Sequence, residues 1–101
     1  MLVHNVFFAL KDTSDSAWSS LIAACNKYLT KHSGIVFFAA GKLAAELNRP
    51  VNDRDFDVAL HIGFQTQADH DRYQVAPDHE KFVAENKDGW SKVRVFDSIT
   101  A

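Results

Sequence analysis

Two short segments of this chain are apolar at both odd and even positions. LVHNVFFAL (residues 2–10) and IVFFAAGK (residues 35–42) are rich in β-branched and aromatic residues, which predicts two β-strands. Successive side chains of a strand point to opposite faces, so Val6 and Phe8 lie on one side of the first strand, and Val3 and Phe7 on the other. A sheet built from these strands must therefore be covered on both faces.

A helix is predicted between these two strands. Thr13 or Ser14 can accept hydrogen bonds from its free backbone amides. Apolar side chains then recur at spacings of three and four from Trp18 to Leu29, the pattern of an amphipathic helix. We expect this helix to end by Gly34, because glycine is common just after a helix C-terminus.

The second half of the chain repeats the alternation of strands and helices. FDVALHIGF (residues 56–64) predicts a strand that follows a loop over residues 43–55. Thr66 caps a short polar helix, Pro77 separates it from a further helical segment over residues 78–86, and SKVRVFDSI (residues 91–99) is the last strand. The order βαββαβ in one domain, residues 1–101, predicts an α+β class and a ferredoxin-like protomer with a four-stranded antiparallel sheet.

Two helical regions cover only one face of a four-stranded sheet, whereas its strands are apolar on both faces. An exposed apolar face of this size is unusual in a monomer, so we expect a second copy of the chain to cover it. The sequence therefore predicts a homodimer that packs sheet to sheet into a dimeric α/β barrel. The interior of that barrel is the expected place of a ligand pocket.

Composition excludes several classes of partner. Lysine and arginine are scattered and the net charge is −2, so no nucleic-acid-binding surface is predicted. No apolar run is long enough for a membrane span, and the N-terminus does not have the pattern of a secretory signal. The single cysteine, Cys25, is typical of a reducing compartment and favours a cytoplasmic protein. The five histidines show no metal-ligand spacing, so neither a metal nor a cofactor is predicted.

Four motifs together resemble a known family. VHNVFF, RDFDVALHIGF, YQVAPDHEKF and VRVFD occur in the order, and near the spacing, of the stress-responsive α/β-barrel (Dabb) family, and the resemblance covers nearly the whole chain. It implies a ferredoxin-like protomer that dimerises into an α/β barrel. Most members are stress-associated or uncharacterised proteins, and a plant member is a polyketide cyclase that works by aldol chemistry.

The resemblance also implies site residues. The catalytic tyrosine and histidine of the plant cyclase match Tyr73 and His79, its pocket histidine matches His4, and the aspartate that ends its last strand matches Asp97. Ala76 departs from the family pattern, because many members have a histidine before the proline. The substrate is therefore not carried over.

These residue types suit proton transfer to and from a carbonyl compound. His79 can act as a general base near neutral pH, and Tyr73 can donate a hydrogen bond to the oxygen of a forming enolate. Antiparallel pairing of the first and last strands brings His4 beside Asp97, whose carboxylate should fix the imidazole tautomer and favour its protonated form. The other predicted pocket residues are Val6, Phe8, Val58, Leu60 and Trp90.

Three functional classes follow. The first is a cofactor-independent enzyme with cyclase-, lyase- or isomerase-like activity; the second binds a small apolar ligand without turnover; the third is a stress-related stable dimer with a filled barrel. The alternative to a role of Tyr73 and His79 in catalysis or ligand binding is that these two residues only lock a turn. His61 is expected in the interior or an interface, and His32 and His70 are expected at the solvated surface.

Overall fold

Four strands and three helices follow one another in the predicted order. They are β1 (Leu2–Leu10), α1 (Asp15–Tyr28), β2 (Ile35–Lys42), β3 (Val58–Phe64), α2 (Gln67–Gln74), α3 (Pro77–Asn86) and, after a single 3₁₀ turn (Lys87–Gly89), β4 (Trp90–Ile99). In this computed structural model, which describes residues 1–101, the strands form one antiparallel sheet in the order β2-β3-β1-β4. This is the ferredoxin-like arrangement, so the predicted fold class is confirmed.

The helices begin where the sequence supplies side-chain caps. Ser14 Oγ accepts a hydrogen bond from the backbone amide of Ala17 at 3.2 Å and starts α1. At α2, Thr66 and Asp69 cap each other's backbone amides in a capping box. Pro77 is the first residue of α3, where its missing amide hydrogen costs nothing. α1 ends at Tyr28, one turn earlier than predicted.

One face of the sheet forms the core under the helices. Even-numbered residues of β1 and β3 point towards the helices, and Val6 lies directly opposite Leu60 in the β1–β3 pairing. The core is completed from α1, α2 and α3 by Leu21, Cys25, Tyr28, Leu29, Tyr73 and Phe82. Cys25 is fully buried and burial raises its thiol pKa to about 12, so the thiol is not a nucleophile near neutral pH.

The opposite face of the sheet carries no helix. Phe7 packs at its centre against Phe56 and Phe96, with ring centroids 5.0 and 5.8 Å away. Phe96 stays 55% exposed and Phe37 41% exposed. The alternation in FDVALHIGF predicts that Phe56 shares the helix-side face with Val58; that prediction is wrong, because β3 begins only at Val58.

Polar groups on this open face are paired with one another. His61 Nδ1–H donates to Asn5 Oδ1 at 2.7 Å, and Arg94 Nη1 lies 2.8 Å from Asp53 Oδ2. His61 is half-buried on the sheet, in agreement with its expected interior or interface position. The open face is therefore mainly apolar, and these polar groups are paired there, although the buried Nε of Arg94 has no hydrogen-bond partner.

The edge strand β4 is uncovered on its helix side as well. The helices pack mainly over β2 and β3, so Val93, Val95 and Ile99 are 39%, 50% and 67% exposed. None of the helices combines the length and the apolar character needed to cross a bilayer.

Candidate active site

A cavity of about 160 Å³ lies between the sheet and helices α2 and α3. Its wall consists of His4, Val6, Phe8, Leu60, Tyr73, Gln74, His79, Phe82, Val83, Trp90, Val93 and Val95. The pocket was expected in a hollow between two sheets, and this prediction is wrong, because the cavity lies on the helix side of a single sheet. The even-numbered residues of β1 face the helices, so the cavity is formed within one chain and does not require a partner.

Tyr73 and His79 meet at the junction of α2 and α3. Their ring centroids are 4.7 Å apart with an interplanar angle of 65°. The two helices are separated only by Val75 and Ala76, and the start of α3 at Pro77 turns His79 back towards α2. Neither the Tyr73 hydroxyl nor the His79 ring makes a hydrogen bond to another protein group, and both line the cavity. Their polar atoms are thus available to a ligand.

Aromatic rings surround Tyr73 on several sides. The centroids of Phe64 and His32 lie 5.0 Å from that of Tyr73, and the ring of His4 lies at 6.0 Å. Tyr73 is only 2% exposed, and burial raises the pKa of its hydroxyl. The hydroxyl is therefore a hydrogen-bond donor at neutral pH.

The pKa of His79 is lowered, first by burial and then by the nearby imidazoles of His4, His32 and His70. A neutral imidazole is consequently the main form near pH 7. This form can accept a proton from a substrate.

His4 on β1 lies directly opposite Asp97 on β4, as antiparallel pairing of these strands predicts. Its Nδ1–H donates to Asp97 Oδ1 at 2.6 Å, which leaves Nε2 as the unprotonated nitrogen. Burial lowers the pKa of His4 and outweighs the raising effect of Asp97. Asp97 favours the protonated form of His4, as expected, but the larger effect of burial leaves the pKa of His4 below its ordinary value.

His32 and His70 are not solvated surface groups, contrary to prediction. His32 is half-buried against Tyr73, and its Nε2–H donates to the backbone carbonyl of Tyr28 at 2.8 Å. His70 is half-buried with its ring centroid 5.0 Å from that of His4. Potential ligand atoms of His4, His70 and Asp97 all lie within 4.8 Å of one another.

The predicted wall residues Val6, Phe8, Leu60 and Trp90 line the cavity, whereas Val58 is a fully buried core residue that does not. The wall also contains five residues that sequence reasoning missed, namely Gln74, Phe82, Val83, Val93 and Val95. The helical spacing of three and four from His79 and the alternation along β4 could have indicated four of them.

A larger cleft of about 490 Å³ lies elsewhere, beneath the loop that follows β2. Two of its charged groups are engaged, since Lys42 Nζ lies 4.8 Å above the Trp18 ring and Asp57 accepts the backbone amide of Leu10 at 2.7 Å, whereas Glu46 is exposed. The smaller cavity is the candidate site, since the Tyr73 hydroxyl and the His79 imidazole meet there at a mostly apolar wall.

A family model described as Stress responsive A/B Barrel Domain matches residues 2–100. The chain belongs to this stress-responsive A/B barrel (Dabb) family. No curated protein matches it significantly.

Solved structures with the family's fold cover nearly the whole chain. A Dabb family protein from Mesorhizobium loti is 24% identical, over 99% of this chain and 96% of that chain, with a TM-score of 0.81. A dimeric ferredoxin-like protein of unknown function from Thermobifida fusca is 17% identical over 98% and 90%, with a TM-score of 0.79. The hydroxynitrile lyase from Passiflora edulis is 22% identical over 99% and 93%, with a TM-score of 0.78. At these identities the likeness establishes the fold and not the activity.

Proposed function

We propose that this Dabb protein is a homodimeric, cofactor-independent enzyme that moves a proton on a small carbonyl compound. The observation that carries the proposal is the pair of Tyr73 and His79 rings, 4.7 Å apart, at the wall of a mostly apolar cavity. Neither the Tyr73 hydroxyl nor the His79 imidazole has a hydrogen-bond partner within the protein.

The proposed reaction begins with removal of a proton from the carbon next to a carbonyl group. The neutral imidazole of His79 takes the proton, and the Tyr73 hydroxyl donates a hydrogen bond to the carbonyl oxygen as it becomes an enolate oxygen. The imidazolium then returns the proton to another atom in an isomerisation. In a cyclisation, the enolate carbon attacks a second carbonyl, and the imidazolium protonates the alkoxide oxygen that forms. Atoms and charges balance in both cases without an added oxidant or reductant.

The remaining wall of the cavity suggests an apolar body for the substrate. Phe8, Phe82 and Trp90 pack against one another with ring centroids between 4.9 and 6.2 Å apart. Together with the valine side chains of β4, they suit a short hydrocarbon or aromatic group. The volume of about 160 Å³ restricts the ligand to a small molecule.

The open face of the sheet supports the homodimer. Phe7, Phe37 and Phe96 lie there without cover from any helix, and a second copy would bury them face to face. The similar structure from Thermobifida fusca is described as dimeric. The catalytic cavity lies on the other side of the sheet, so in this proposal the partner stabilises β1 and β4 rather than closing the site.

The test is proton exchange in D₂O, which requires no knowledge of the natural substrate. Acetophenone, phenylacetone and cyclohexanone would each be incubated with the protein, and loss of the α-proton signals would be followed by ¹H NMR. We expect exchange above the buffer rate for at least one ketone, and a loss of about 10²–10⁴-fold in His79→Ala. Lys81→Ala, a change at another exposed position of α3, is the matched control and should retain the rate.

Exchange that stays at the buffer rate with all three ketones, or survives intact in His79→Ala, would reject the enzymatic proposal. Saturable binding of these ketones without exchange would instead favour a ligand-binding module that performs no turnover.

A further inference from the structure

We propose that His4, His70 and Asp97 form a binding site for a first-row divalent cation of the zinc type, beside the cavity. This goes beyond the proposed function, which needs no metal. The three residues come from β1, α2 and β4, and their potential ligand atoms lie within 4.8 Å of one another.

A metal would take the place of two hydrogen bonds that the imidazoles make, namely the Nδ1–H of His4 to Asp97 at 2.6 Å and the Gln74 amide to His70 Nε2. The carboxylate of Asp71 accepts the Nδ1–H of His70 at 3.1 Å. The amide nitrogen of Gln74 lies 3.2 Å from His70 Nε2 and can only donate, so Nε2 carries the lone pair. In metal sites, histidine ligands characteristically donate the second ring N–H to a carboxylate in this way.

Two imidazoles and a carboxylate are typical ligands of zinc and neighbouring transition metals, whereas magnesium and calcium prefer oxygen ligands alone. Ligand atoms at ~2.0–2.2 Å from a tetrahedral zinc lie roughly 3.4 Å apart. His4 Nδ1 and Asp97 Oδ1, which are 2.6 Å apart, would therefore separate slightly, and the most distant pair of ligand atoms, within 4.8 Å, would close by about an ångström. The Asp97 side chain, which is 41% exposed, has the freedom for this movement, whereas the His70 side chain is only 15% exposed.

The location separates this site from the Tyr73–His79 pair. His4 lines the cavity, but His70 and Asp97 do not, so the cation would sit behind His4 on the solvent side. The exposed Asp97 gives it an entry path from solvent. Water would complete the coordination shell, as in other sites with three protein ligands.

Cobalt(II) is the probe for the test, because its visible absorption bands report coordination geometry. Protein without an affinity tag would be titrated with CoCl₂ by absorption and with ZnCl₂ by calorimetry. We expect one equivalent per chain and a loss of affinity of at least about tenfold in both His70→Ala and Asp97→Ala. His61→Ala removes an imidazole from the opposite face of the sheet and should leave the affinity unchanged.

Absence of cobalt bands at one equivalent, or equal affinity in His70→Ala and the unaltered chain, would overturn the metal site. Either result leaves the ketone exchange assay untouched when that assay is run with EDTA. Conversely, cation binding in the absence of any ketone exchange would support this site and reject the proposed function alone.

Discussion

The imidazole of His4 donates its Nδ1–H to the carboxylate of Asp97 at 2.6 Å, across 93 residues of sequence. The two residues face each other on the neighbouring strands β1 and β4, and His4 is buried while Asp97 reaches solvent. The hydrogen bond of this pair connects the cavity wall, which contains His4, to β4, the last strand of the sheet.

Replacement of Asp97 by alanine should destabilise the fold. The buried Nδ1–H of His4 would lose its acceptor, which costs about 1–3 kcal/mol. Asp97→Asn should recover part of the loss, because its amide oxygen can accept the same hydrogen bond. Chemical denaturation measures both, and Asp88→Ala, at an exposed acidic position, is the control. Equal stability of Asp97→Ala and Asp88→Ala would contradict the role of the pair.

Tyr73→Phe separates a chemical role from a structural one. The Tyr73 hydroxyl has no hydrogen-bond partner in the protein, so its removal should leave the thermal unfolding midpoint nearly unchanged. Ketone exchange should fall about 10²–10³-fold if the hydroxyl stabilises the enolate oxygen. A variant that loses stability but keeps its exchange rate would show that Tyr73 only locks the turn.

The pH dependence of exchange should follow the titration of His79. Burial and neighbouring imidazoles lower its pKa from 6.5. A base acts only when unprotonated, so kcat/KM should rise with pH and reach half its plateau below pH 6.5. His79→Gln should abolish this rise. A half-maximum above pH 6.5 would mean that His79 is not the base or is not desolvated.

Phe96→Asp should convert the dimer into a monomer. The substitution places a charge on the open face, which would be buried between two sheets. Val95→Asp is the matched control, because the neighbouring side chain points to the helix side of the same strand and is similarly exposed. Sedimentation should report one 11.3 kDa chain for Phe96→Asp and a dimer for Val95→Asp. A monomer for the unaltered chain at micromolar concentration would refute sheet-to-sheet packing.

Gly34→Ala should be strongly destabilising. Gly34 has a φ of 87°, and an added Cβ would approach the side chain of the capping residue Asp69. The left-handed backbone alone costs a non-glycine residue about 1–3 kcal/mol. Gly89→Ala is the control, since nothing lies within 4 Å of a Cβ added there. Thermal unfolding should show a clear loss for the first variant and little change for the second.

The local pattern of the chain determined most of the fold. Alternation and helical spacing predicted all four strands and the helices, and the caps at Ser14 and Thr66 begin α1 and α2 where expected. Pro77 separated the segments that carry Tyr73 and His79, because a proline is tolerated at the first turn of a helix and not in its interior. These features depend on neighbours a few residues apart, which sequence shows directly.

The position of the candidate site could be determined only from the tertiary structure. Alternation divides β1 into two faces but does not say which one the helices cover, so the cavity was expected between two sheets and lies under α2 and α3 instead. The gathering of His70 beside His4, and the downward pKa shifts of His4 and His79, depend on burial among residues far apart in sequence. Burial is a property of the packed chain, because desolvation of an imidazole is set by every element around it and not by its sequence neighbours.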